Sequence, residues 1–173
     1  ARVGTPPRGL AAGPYAAIAE AYTAGFLVDL KAAIEVLARA EQLYPDESAL
    51  PAIRAQIAMV LDDREQAKEA IERSLALDPD DSTALEARAN LRSDLNGDLD
   101  GAHADLLRAI EIAPGSTSAW NDLGLVQSSR GAEREAEAAL KHSIELDPQD
   151  PVAHINLAIV YLDQDRVAEA KDE

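Results

Sequence analysis

The sequence predicts an all-α fold in which helix pairs repeat and stack as an α-solenoid, and three observations predict it. Alanine is the commonest residue and aromatics make up only 3% of the 173-residue chain. That balance favours helix, because alanine loses no side-chain entropy there and aromatics are what pleated surfaces use. Four prolines (Pro45, Pro79, Pro114 and Pro148) each follow a helix-like segment, at separations of 34, 35 and 34 residues. Other residues keep fixed places before them. Twelve residues upstream stand Ala33, Ala67, Ala102 and Ala136, and Ala170 continues the series. Leu37, Ile71, Leu106 and Leu140 follow, then the small residues Ala40, Ser74, Ala109 and Ser143, then Leu43, Leu77, Ile112 and Leu146. Steps of four and three put these side chains on one helix face.

Each unit therefore reads as helix, tight turn, helix, turn. Residues 1–13, rich in Gly and Pro, read as a linker, and 14–173 as the array, with units near 14–47, 48–82, 83–116, 117–150 and an incomplete 151–173. In the first unit, Tyr15, Ile18 and Tyr22 fit a first helix whose connection to the second is about two residues longer than usual. In the second, Pro51 fits only a first helical turn. In the third, Thr83 and Glu86 have capping-box spacing, and the single 35-residue interval places an extra residue near Asp81 to Thr83. In the fifth, Asp150 followed by Pro151 has the form of a cap and first turn. Its second helix, from Val167, has about two turns left before Glu173. No polar capping helix follows and the chain begins with Ala1, so the natural protein is expected to continue. The open last unit offers a surface for self-association.

The fourth unit, 117-TSAWNDLGLVQSSRGAEREAEAALKHSIELDPQD-150, carries a family resemblance. Trp120, Leu123, Gly124, Gly131, Ala136, Leu140 and Pro148 stand where the tetratricopeptide repeat family places its signature residues, with Gln127 replacing the usual tyrosine. The next unit restores that tyrosine as Tyr161, beside Leu157, Ala158 and Ala170. The chain resembles this family over roughly residues 14 to 173. The resemblance implies about four and a half to five units in a right-handed superhelical stack, with first helices lining a concave side. Gly124, Ala136, Ala158 and Ala170 would allow helix axes to approach closely.

The stretch 94-DLNGDLDGAHAD-105 has the look of a calcium loop. Such a loop needs glycine at its sixth place and a bidentate glutamate at its twelfth. Counted from Asp94, these places hold Leu99 and Asp105; counted from Asn96, they hold Gly101 and Leu107. Neither register completes the site. Helix from about Leu99 to Ile112 would also straighten the segment that must wrap an ion. The reading is a solvated turn with a helix-capping aspartate.

Other chemistry finds no purchase. The chain has no cysteine, so disulfides, thiolate metal sites and a cysteine nucleophile are excluded. His103, His142 and His154 have no ligand spacing; His154 takes the place of the signature tryptophan, where packing is the expectation, and His142 falls on a charged helix face. Ser128 and Ser129 lack a base, and no phosphate-cradling GxxxxGK occurs. No catalytic, cofactor or metal residue is assigned. A formal net charge of −16 opposes binding to nucleic acid or anionic lipid, and no apolar run is long enough to span a membrane. Cytoplasm and periplasm both suit a cysteine-free chain.

The expected function is that of a non-catalytic scaffold whose concave groove binds a peptide or protein segment; the alternative is the docking or regulatory region of a larger enzyme. The family's groove positions fall on Asn121, Leu125, Ser128 and Ser129, on Ile155, Ile159 and Leu162, and in the third unit on Ala87, Leu91 and Asp94. Packing against a neighbouring helix is the competing role for each, since a one-residue shift rotates a helical position by about 100°. None of these positions holds lysine or arginine, so the expected partner is a neutral or basic, partly apolar segment.

Overall fold

The alanine-rich, proline-punctuated segments fold as helices throughout residues 30–173, the part that this computed structural model describes. The 1–13 linker and the first helix assigned to Tyr15, Ile18 and Tyr22 lie outside the described residues. The described helices are α1 (Leu30–Leu43), α2 (Ala49–Val60), α3 (Arg64–Leu77), α4 (Ser82–Asn96), α5 (Leu99–Ile112), α6 (Thr117–Ser129), α7 (Glu133–Leu146), α8 (Pro151–Asp163) and α9 (Val167–Ala170). No strand occurs among the described residues. The last helix is a single turn, shorter than the two turns the sequence predicts.

Helices α3, α5, α6 and α8 each start on a residue suited to the task. Asp63, Asp98, Ser116 and Asp150 accept hydrogen bonds from the backbone N–H groups of Gln66, Gly101, Ala119 and Val152, satisfying donors that a first turn leaves open. Pro151 opens α8 and Pro51 lies in the first turn of α2, as expected. The capping box at Thr83 and Glu86 is not what starts α4. Asp81 caps it, accepting from the Ala84 N–H at 3.1 Å.

The turns within helix pairs share one backbone device. Asp62, Gly97, Gly131 and Asp165 all have positive φ, between 55° and 73°. After three of them the next N–H bonds a carbonyl five residues back: Asp63 to Ala58, Ala132 to Gln127, Arg166 to Tyr161. This is the Schellman closure of a helix end, which needs a left-handed residue. After Gly97 the bond instead reaches six residues back, from Asp98 to Arg92. That locates the extra residue of the 35-residue interval between Arg92 and Asp98, at the end of α4, and not near Asp81. Asp81, Ser116 and Asp150 each stand two residues after their prolines.

The described residues divide into two compact units, one ending at residue 87 and the other spanning 88–173. In the first, Ala33, Leu37 and Ala40 of α1 meet Leu50 and Ile57 of α2. Arg54 and Glu41, both largely buried, pair at 3.0 Å between the same helices. In the second, Ala136 and Leu140 of α7 pack with Leu157, Val160 and Tyr161 of α8. Ser74 and Ser143, expected only to be small, also bond: their buried hydroxyls donate to the carbonyls of Ser48 and Thr117 at 2.9 Å. The row Leu43, Leu77, Ile112 and Leu146 is partly exposed, because each is the last residue of its helix, where the chain turns away.

Gly124 of α6 earns its place by distance. A Cβ built on it would lie 2.5 Å from Leu140 Cγ and 3.3 Å from the Ala136 carbonyl oxygen. Helix α7 therefore crosses α6 closer than any side chain at this position would allow.

Candidate protein-binding face

Within residues 88–173, the first helices of successive pairs are tied by polar side chains. Asn90 of α4 donates to Asp122 of α6 at 2.9 Å. Asn156 of α8 donates to Asn121 of α6 at 2.9 Å. Asn121 is buried by that contact, so it packs between helices and is not an exposed groove residue.

The remaining candidate positions on α6 and α8 are accessible. Leu125 is exposed, Ser128 is half-buried, and the Ser129 hydroxyl donates to the Leu125 carbonyl at 3.0 Å. Ile155, Ile159 and Leu162 are exposed along α8. On α4, Asp94 is exposed while Ala87 and Leu91 are buried. The burial of the last two follows from the extra residue lying at the end of α4. The first two-thirds of this helix keeps the 35-residue register, so Ala87 and Leu91 correspond to Asp122 and Val126. Glu86 and Asn90 correspond to Asn121 and Leu125.

Sequence reasoning left several polar contacts unseen. Asp105 is buried where the sister repeats hold buried Ala70 and Ala139. Arg88 grips it with Nε and an Nη at 2.8 and 2.6 Å, and Arg92 adds a bond at 2.7 Å. The hydrogen bond to Asp105 raises the Arg88 pKa. On α8, the Tyr161 hydroxyl donates to Glu137 at 3.3 Å, and the Arg166 guanidinium sits 4.3 Å over the tyrosine ring. Glu137 also accepts from Arg166 at 2.6 Å and Lys141 at 2.7 Å. These cations, Arg166 first, hold its carboxyl down at about 2.

Gln127 makes the counterpart of this contact in other chemistry. Its amide lies 2.8 Å from His103 Nε2, and the pair has the same 24-residue separation as Tyr161 and Glu137. Desolvation, and then the nearby Arg130, lower the His103 pKa. His154 does take over the tryptophan's place: its Nε2 lies 3.2 Å from the Pro148 carbonyl, as Trp120 Nε1 lies 3.0 Å from that of Pro114. His142, expected exposed among the charged residues of its helix, is half-buried, its ring edge-on to Trp120 with centroids 4.3 Å apart.

The aspartates of the calcium-like stretch have other work. Asp98 caps α5 and Asp100 pairs with Arg130 at 2.8 Å. Among the described residues, no group of three or more His, Asp or Glu is arranged to hold a metal. Among the same residues, no helix is long and apolar enough to cross a membrane.

Two family models, each described as tetratricopeptide repeat, match residues 54–117 and 129–173. A peroxisomal targeting signal receptor from Pichia angusta is 43% identical over 56 residues, which make up 32% of this chain and 10% of the receptor. Among solved structures, the type IV pilus biogenesis factor PilW is similar with a TM-score of 0.80 at 22% identity, over 92% of this chain and 72% of PilW. The TPR protein TTC0263 from Thermus thermophilus gives 0.79 at 23% identity, over 92% of this chain and 86% of its own. A chain of the Cut9-Hcn1 complex gives 0.83 at 19% identity, over 90% of this chain and 31% of its own. At these identities the structural likenesses show a shared fold.

Proposed function

Since the chain belongs to the tetratricopeptide repeat family, we propose that it is a protein-interaction scaffold and that the exposed face of α6 and α8 holds a segment of a partner. The observation that carries this reading is the run of exposed aliphatic side chains, Leu125, Ile155, Ile159 and Leu162, on helices whose other faces are already packed. Exposed apolar surface grouped in this way marks a site of association. Ser128, Ser129 and Asp94 supply polar groups at its margin. The role proposed for this face is non-catalytic. The receptor match, of which this chain spans 10%, favours a docking role within a larger protein. If that protein is an enzyme, the same face is its docking region, and a catalytic domain in the full reading frame decides between the two.

A displayed peptide library selected on the chain tests the face. Selected peptides are expected to lose binding to Leu125→Arg and Ile159→Arg, both at exposed positions, with helicity by circular dichroism unchanged. Equal binding to both variants would refute it.

A further inference from the structure

Resting on that reading, we infer that the occupant is an amphipathic α-helix with aliphatic residues in heptad spacing and lysine or arginine beside them, laid along α8. Val152, Ile155, Ile159 and Leu162 follow one another at steps of three, four and three, and are 52%, 58%, 47% and 51% exposed. The opposite face of α8, with Ala153, Leu157, Val160 and Tyr161, is buried. The stripe is about 15 Å long. Its spacing is that of an a/d seam, with β-branched residues at both a places, and it matches the knobs of a second helix.

Repeat packing does not require this stripe. The same places on α6 hold Ser118, Asn121, Leu125 and Ser128. With α8 beside it, α6 still exposes Ser118 and Leu125. A helix set against α8 in the same way would cover Ile155 and leave Val152 and Ile159 open.

An extended segment fits less well. The backbone groups of α6 and α8 are engaged in their own helices, so no main-chain ladder is on offer. Side-chain amides that would grip an extended backbone are already bonded: Asn156 to Asn121 and Asn90 to Asp122, each at 2.9 Å. A helix brings its backbone satisfied and needs only apolar contact.

Charge selects the flanks. Helices α6 and α8 carry no lysine or arginine but do carry Asp122 and Asp163. Residues 88–173 hold 17 Asp and Glu against 8 Lys and Arg. A second copy of the chain would bring like charge, whereas a cationic helix gains from the field.

Three labelled three-heptad peptides test this by fluorescence anisotropy and circular dichroism. One has Leu at a and d with Lys at e and g; one has the same composition in strict alternation; one has Glu in place of Lys. The heptad-lysine peptide is expected to bind at least tenfold more tightly than the others and to gain helicity. Ile159→Arg should weaken it at least tenfold, Val152→Ser with Ile159→Ser should weaken it without adding charge, and Leu107→Arg on α5 should leave it unchanged. If the alternating peptide binds as well and Ile159→Arg still blocks it, the helical occupant is wrong and the face survives. If the heptad peptide binds regardless of Ile159→Arg, the face itself is wrong. Binding by none of the three, or a dimer in sedimentation that Ile159→Arg dissolves, overturns the cationic helix.

Discussion

Gly124→Ala measures how closely two helices of one repeat approach. The added Cβ would start 2.5 Å from Leu140 Cγ and 2.9 Å from its Cδ2, against an optimal carbon–carbon separation of about 3.5–4.0 Å. The side chain, or the whole helix, must retreat by about 1 Å. Leu140 is completely buried, and the Ala136 carbonyl 3.3 Å away blocks a simple slide. Overpacking of this kind costs up to about 3 kcal/mol. Replacing a mid-helix glycine by alanine returns about 1 kcal/mol. The expected net loss is about 2 kcal/mol, read from urea unfolding followed by circular dichroism. Leu140→Ala alone should lose about 2–5 kcal/mol. The double variant should lose at least about 1 kcal/mol less than the two losses together, because the new methyl enters space that the leucine leaves. A Gly124→Ala protein as stable as the parent would refute the close packing of α6 on α7.

Gly131 has φ +73° with nothing within 4 Å of a built Cβ, so Gly131→Ala should cost about 1 kcal/mol through backbone strain alone; Asp165→Gly, at φ 58°, should not destabilise, and both are read by urea midpoint. Arg88→Ala with Arg92→Ala leaves the Asp105 carboxylate buried without a cation and should cost about 3 kcal/mol or more. Adding Asp105→Ala, the residue type at this place in the sister repeats, should recover most of that loss in the same assay. Glu137 has its carboxyl held near 2, below the usual 4.5, so its contribution is complete above pH 4.5 and falls away as pH drops towards 2. Stability compared at pH 6 and pH 3 should therefore fall more steeply in the parent than in Glu137→Gln, and equal slopes would contradict the ion-pair cluster.

The second helices were legible because contact fixes them in every repeat. Ala33, Ala67, Ala102 and Ala136 are all fully buried, as are Leu37, Leu106 and Leu140. A position that must be small or must fill a gap leaves the same mark each time. The start of α8 at Asp150-Pro151 was legible for a similarly local reason. The extra residue itself shows in the 35-residue interval, but its place does not, since a wider last turn in α4 disturbs no apolar spacing; the bond from Asp98 to Arg92 supplies it. Asn121 is buried and bonded to Asn156, 35 residues away on another helix, a contact that the spacing within its own helix does not reveal. The burial of Asp105 is not read from the sequence, although Arg88 and Arg92, one turn apart, are a signal that a buried carboxylate could face them. The exchange of Tyr161 and Glu137 for Gln127 and His103 becomes readable once the shared 24-residue separation is noticed.

Methyl-resolved NMR of the chain titrated with the heptad-lysine peptide tests the binding face most directly. Shifts are expected at Leu125, Ile155, Ile159 and Leu162, with the partly exposed second-helix residues Leu107, Ile112 and Leu146 unmoved. Shifts confined to Leu107, Ile112 and Leu146 would place the partner on the second helices and contradict the account.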